Sequence, residues 1–129
     1  MFLLTALALT LVGANLPTDT DLKASFCLGY LGDYTPVDAS AWPETLRVQA
    51  EQINREAAQA QQRLRVYLIP KIPYFVEVVG LDAAFKQGRQ TAIDYRAIAL
   101  SCADNVATDQ CQRLKRTADD CRETPFLPF

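Results

Sequence analysis

The chain has 129 residues, half of them apolar and 22% charged, with a formal net charge of −2 and no histidine. That length makes one domain, and a near-neutral charge with Lys and Arg scattered among acids excludes the clustered basic surface that nucleic-acid binding needs. Without histidine, Ser-His-Asp and Cys-His catalysis are impossible within the chain, and the commonest metal ligand is missing.

Residues Met1 to Ala14 stand apart in composition. Phe2 to Val12 is an uncharged apolar run, Val12-Gly13-Ala14 is a small-residue ending that suits signal peptidase, and polarity returns at Asn15, Pro17 and Asp19. This is the form of a secretory signal with cleavage after Ala14, although no Lys or Arg precedes the apolar run. The competing reading is a retained anchor, but at about 1.5 Å per residue the segment spans well under the ~30 Å of a bilayer core. No Cys follows the run, so a lipid-anchored lipoprotein is not indicated. The expectation is a signal over 1–14, a single domain over 15–129, and a periplasmic or secreted location with no stable membrane span once the signal is removed.

Four cysteines, Cys27, Cys102, Cys111 and Cys121, all lie after that segment. An even number in an oxidising compartment suggests two disulfides. A zinc site would need four scattered thiolates with no CxxC pair, and no metal is expected.

In chain order, Thr18 or Thr20 can cap a first helix, with Asp19 and Asp21 near its positive end. Leu22, Phe26 and Tyr30 follow at helical spacing, and Gly29 and Gly32 offer a place where another helix can approach closely. Thr35-Pro36 ends this helix. The second helix starts at Ser40 as N-cap, with Pro43 in its first turn. From there Leu46, Ala50, Ile53, Ala57, Ala60, Leu64 and Tyr67 recur at alternating steps of four and three, a heptad seam. Read as one helix over about 41–69, it has 29 residues and is about 43 Å long, more than a compact domain of this size needs. The overhang is expected at the Tyr67 to Phe75 end. Pro70 and Pro73 then break the helix at an elbow; their PxxP spacing could in other settings dock into an SH3 groove.

A third helix is expected over Tyr74 to Gln87, closed by Gly88, although Phe75 to Val79 is rich enough in β-branched residues to pass for a strand. A fourth runs over Gln90 to Asp104, and a turn at Asn105 to Thr108 follows. Thr108 caps a fifth that ends before Pro125. The chain closes with an apolar tail, residues 124–129. The resulting fold class is all-α: a disulfide-linked bundle of about five helices around the long heptad-patterned one.

Helical geometry selects among the disulfide pairings. Cys111 and Cys121 lie ten residues apart on one helix, about 15 Å along its axis, beyond the roughly 7 Å that a disulfide allows. In a hairpin turning near Val106, Cys102 and Cys111 face each other. The favoured pairing is therefore Cys102–Cys111 with Cys27–Cys121; Cys27–Cys111 with Cys102–Cys121 is the alternative.

Candidate chemistry is sparse. No nucleophile motif or phosphate-cradling Gly loop is present, and no cofactor is expected. Carboxylates could in principle do glycosidase chemistry, with Asp94, Asp104, Asp109, Asp119 and Asp120 as candidates, but their positions fit caps and hydrophilic faces. Two apolar clusters look like interaction sites: Ile69, Ile72, Tyr74 and Phe75 at the elbow, and Phe126, Leu127 and Phe129 in the tail. The competing reading of the tail is that it folds back over the seam.

The segment Phe26-Cys27-Leu28-Gly29-Tyr30-Leu31-Gly32 resembles the C-x-G-Y helix found early in small exported bacterial proteins of the type-VI-secretion immunity family (Rap1a/Tai). The resemblance covers seven residues. It implies a periplasmic helical protein that binds and blocks a toxic amidase, with Cys27 in a disulfide. The expected function is an exported, non-enzymatic protein-binding module, either an inhibitor of this kind or an accessory subunit of an envelope complex. The alternative is a periplasmic carrier or chaperone-like protein that holds an apolar ligand or client in a helical groove.

Overall fold

The computed structural model describes residues 16–32, 40–104 and 108–129. The expected signal, the Thr35-Pro36 break and residues 105–107 of the expected turn lie outside the described residues. Among these, four α-helices form an all-α fold: α1 Asp19–Gly32, α2 Glu44–Leu68, α3 Val79–Asp104 and α4 Asp109–Glu123, with a 3-10 helix at Ile69–Tyr74 between α2 and α3.

Two helix starts follow from local chemistry. Thr18 Oγ1 accepts from the Asp21 N–H at 3.2 Å while Asp21 Oδ2 accepts from the Thr18 N–H at 2.9 Å, a reciprocal capping box that opens α1. At α4, Thr108 Oγ1 accepts from the Cys111 N–H at 3.2 Å, the cap expected of it. The start of α2 differs from expectation. Its N-cap is Pro43, in extended conformation, and Ser40 lies in a turn outside the helix. The cause is steric: a residue before proline is disfavoured in the helical region, so the helix cannot run back through Trp42. At the other end Pro70 has no N–H to continue the α-ladder, and the chain tightens into the 3-10 turn.

The third and fourth expected helices are one. Helix α3 is continuous for 26 residues, and Gly88 sits buried inside it. No glycine in the described chain has positive φ, so Gly88 does not act as a left-handed helix stop. Its function is contact. A Cβ at Gly88 would overlap the Phe26 carbonyl oxygen, and a Cβ at Gly29 would overlap the Phe85 carbonyl oxygen. Each glycine lets the other helix's backbone in, and α1 and α3 make the most extensive pairing in the molecule. Gly32 has open space beside it.

Helix α1 is the centre. It runs parallel to α3, with Ser25 bonded to the Leu81 carbonyl and Gly29 against Phe85. It is antiparallel to α2, with Gln61 Nε2 donating to the Leu31 carbonyl and the Tyr67 hydroxyl donating to Asp21. It is also antiparallel to α4, with Lys23 beside Asp120 and Leu31 sharing a pocket with Leu114. Among the described residues the backbones of α2 and α3 do not come together, although Leu68 and Leu81 belong to the same core. The expectation of a bundle built around the long helix is therefore corrected: the short helix with two glycines touches all three partners.

Two disulfides complete the frame. Cys27–Cys121 joins α1 to α4 across 94 residues with Cα atoms 5.0 Å apart, and Cys102–Cys111 joins α3 to α4 across nine, at 5.4 Å. The core around the first comprises Ala24 and Leu31 of α1, Ala57, Ala60, Leu64, Tyr67 and Leu68 of α2, Leu81 of α3, and Leu127 of the tail.

Candidate functional site

The elbow between α2 and α3 is fixed to the start of α1 by a buried carboxylate. Asp21 is 2% exposed, yet its Oδ1 accepts from the Tyr67 hydroxyl at 2.7 Å and from Lys71 Nζ at 3.3 Å. The ammonium group of Lys71 also lies 3.9 Å from the centre of the Tyr67 ring, a cation–π contact. Burial opposes charge on Asp21, but the donors from Thr18, Tyr67 and Lys71 outweigh it and hold the carboxyl below its ordinary value of 3.8. Contact with Tyr67, and then with Asp21, outweighs desolvation and holds Lys71 above its ordinary 10.5. This hub was not singled out from the sequence, although Asp three residues after a capping Thr is its visible signature.

Around the hub the surface is apolar. A groove of about 360 Å³ lies between α1, the 3-10 turn and the start of α3, lined by Leu28, Leu68, Ile72, Val78, Leu81 and Phe85 with Ser25 and Asp82. Ile72, which lines it, is exposed, as are Val66 and Ile69 at the end of α2 and the start of the turn, and Tyr74 is 74% exposed. Val76, Val78 and Val79 are exposed as well, the last at 70%. Leu16, next to the Thr18 cap, and Phe129, whose ring lies 6.4 Å from that of Tyr67, are exposed at the same end. Nine of the fourteen large apolar side chains exposed among the described residues thus gather at one end of the molecule.

The residues expected to interact divide accordingly. Ile69, Ile72 and Tyr74 are on the open surface, while Phe75 is half-buried against the core. In the tail, Leu127 is buried in the core and Phe126 is half-buried, with Lys23 Nζ 5.0 Å from its ring centre; Phe129 alone is exposed. The tail therefore folds back onto α2 as cover. Arg63 anchors it, donating from Nε to Thr124 Oγ1 at 3.0 Å and from an Nη to the Arg122 carbonyl at 2.8 Å.

The overhang lies at the other end from the one expected. Ala57, Ala60 and Leu64 are buried, but Leu46 is 53% and Ile53 39% exposed, and Trp42 and Val48 are exposed beside them. The reason is length. Helix α1 ends at Gly32, near Gln61, so among the described residues no helix lies over the seam of the first half of α2.

The candidate carboxylates are in ordinary structural positions. Asp119 pairs with Arg122 at 2.8 Å, Asp120 with Lys23 at 3.2 Å, Asp94 accepts from Gln90 at 2.8 Å, and Asp109 lies in the first turn of α4; the Asp104 side chain is outside the description. A second pocket of about 170 Å³ between α1, α3 and α4 holds Tyr30, Tyr95 and Arg96. Burial pushes the Tyr30 hydroxyl up, against the lowering effect of Arg122. Among the described residues no helix is long and apolar enough to cross a membrane, and no group of three or more Cys, Asp or Glu is placed to hold a metal ion.

Comparison with protein-family models, with curated proteins and with solved structures finds no match to this chain.

Proposed function

We propose that the protein is an exported, non-enzymatic binding module that takes an amphipathic helix of a partner protein on the first half of α2, where no helix among the described residues covers the seam. One observation carries this reading: the row Leu46, Ala50, Ile53 continues directly into Ala57, Ala60 and Leu64, which α1 and α4 of this chain already cover. A surface whose second half takes helices suits the same kind of occupant on its first half. Arg47, Glu51 and Arg55 flank it with both signs of charge, which favours a partner chosen by side-chain fit over one steered by net charge. An immunity-type inhibitor and an accessory subunit of an envelope complex both fit this description, the first with a toxic amidase as partner.

A site-specific photo-crosslinker at Leu46 tests this in cells, with the same probe at exposed Gln59 as control. The expected result is one protein adduct at Leu46 that is absent at Gln59 and lost when Ile53→Asp is added. The purified partner should then bind the wild type and not the variant. Adducts joining two copies of this chain, or no Leu46-specific adduct, would sink the proposal.

The carrier reading has its own observation, the 360 Å³ apolar groove at the elbow. It predicts a stoichiometric apolar molecule in the purified protein, detectable by solvent extraction and mass spectrometry.

A further inference from the structure

We infer that the pocket between α1, α3 and α4 is a binding site for a small carboxylate carried on one ring-sized apolar body. Its volume is about 170 Å³, and a cavity of about 150 Å³ holds a benzene ring. Leu31, Ala92 and Leu114 give it apolar walls. Its polar groups are the hydroxyls of Tyr30 and Tyr95 and the guanidinium of Arg96, all of which can donate to an oxyanion. Among the described residues no Asp or Glu lines the pocket, and no group accepts a hydrogen bond from either hydroxyl. Neither hydroxyl is a sealed-off orphan, so both are open to an incoming acceptor.

Charge fixes the sign of the ligand. Tyr30 lies within electrostatic reach of both Arg122 and Arg96, although burial, the larger effect, keeps its hydroxyl protonated and a donor. Arg122 is occupied, with Asp119 at 2.8 Å and Glu56 at 4.0 Å. Arg96 has contacts of its own, but a guanidinium carries five N–H donors in a planar fork, enough to take a carboxylate as well. Asp94, next to Tyr95 in the chain, accepts from Gln90 and does not line the pocket. The carbonyl end of α1 opposes an anion at this corner, but Gln61 already donates to the Leu31 carbonyl. Two guanidinium groups make a cationic ligand the poorer match.

The walls are also held in place before any ligand arrives. Leu31 lies one turn from Cys27, Ala99 one turn from Cys102 and Leu114 one turn from Cys111, so a disulfide fixes each wall. Gly88 brings α3 against the backbone of α1, where a Cβ would stand 2.9 Å from the Tyr30 nitrogen. The Tyr30 ring stacks on Phe26, with centroids 6.4 Å apart and planes at 15°. A site fixed in this way has little left to order on binding. It is separate from both the seam of α2 and the groove at the elbow.

The probe is benzoate, titrated into the purified, oxidised protein and followed by NMR. The expected result is saturable shifts centred on Tyr30, Tyr95 and Arg96, with a dissociation constant of about 1 mM or below. Benzamide and benzyltrimethylammonium, which keep the ring and lose the negative charge, should bind about tenfold more weakly or worse. Arg96→Gln should weaken benzoate about tenfold, and Arg96→Lys by less, since it keeps the charge without the fork. Tyr95→Phe should weaken it about threefold. Circular dichroism with a thiol count verifies the fold and disulfides of each variant, and the benzamide comparison needs no variant at all. N-acetylphenylalanine identifies the source of the carboxylate: tighter binding than benzoate means the last residue of a peptide, weaker binding a free acid. Benzamide binding as well as benzoate overturns the inference, as do shifts that avoid these three residues or are absent. Acetate or inorganic phosphate binding as well as benzoate overturns it too, because the apolar walls would then contribute nothing.

Discussion

Asp21 holds its charge in a place where charge is expensive. Three donors on two oxygens make this possible, and each comes from a different part of the chain: the Thr18 N–H, the Tyr67 hydroxyl and Lys71. Asn in its place would set an amide donor against one of them. Asp21→Asn should therefore cost about 2 kcal/mol at neutral pH by thermal or urea unfolding. The pH dependence has a definite sign. The folded carboxyl ionises below 3.8, so the unfolded chain takes up its proton first as pH falls. This contribution is complete above 3.8 and disappears as pH drops from 3.8 through the lower folded value. Melting temperature followed across that window should fall more steeply for the wild type than for Asp21→Asn. A second local feature is Thr124, a β-branched residue at φ 49°, ψ 50° that ends α4. Its hydroxyl accepts from Arg63, which offsets the strain of the left-handed conformation. Ala would lose that bond and keep the strain, whereas Gly would lose the bond and shed the strain. Thr124→Gly should thus be more stable than Thr124→Ala by about 1 kcal/mol in the same unfolding measurement.

At the scale of elements, the glycines and the long helix each act in two ways. Gly88 and Gly29 meet backbone atoms that cannot move aside, so Gly88→Ala should destabilise by about 3 kcal/mol despite alanine's better helix propensity. Gly32→Ala meets nothing and should be neutral or stabilising by up to about 0.5 kcal/mol. Denaturation of the two variants side by side separates contact from propensity. Helix α2 divides at about Glu56. Leu64→Ala removes a fully buried side chain and should cost about 2–5 kcal/mol, whereas Leu46→Gln and Ile53→Gln together should change stability by less than about 1 kcal/mol. A large loss from the latter pair would mean that the first half of the seam is already covered within the chain.

For the molecule as a whole, the small core makes the cross-links important. Several of its members are Ala or Cys, and those side chains bury little apolar area each. In the entropic account, closing 94 residues with Cys27–Cys121 contributes about 4–5 kcal/mol and closing nine with Cys102–Cys111 about 2–3. Replacing the first pair by Ala should lower the melting temperature considerably more than replacing the second. Calorimetry of the two double variants gives the order. The molecule also has two unlike ends, an apolar face around the elbow and an uncovered helix opposite.

Much of the fold was legible in local residue order. Thr18 and Thr108 as caps, Pro70 and Pro73 as the end of the long helix, all-α character and the spacing that opposes Cys102 to Cys111 are matters of chain geometry within a few residues. Three features needed the tertiary structure. Gly88 looks like a helix stop until α1 is seen against it, because the same missing Cβ serves a turn or a backbone contact. Helix α1 carries weak periodicity and two glycines, and it is central because it can be approached on all sides. The heptad seam is chemically alike from Leu46 to Tyr67, and periodicity alone cannot say where cover stops. That is set by the ends of α1 and α4, beyond which no described helix covers the Leu46 half, while the apolar elbow, with the tail folded beside it, lies at the other end.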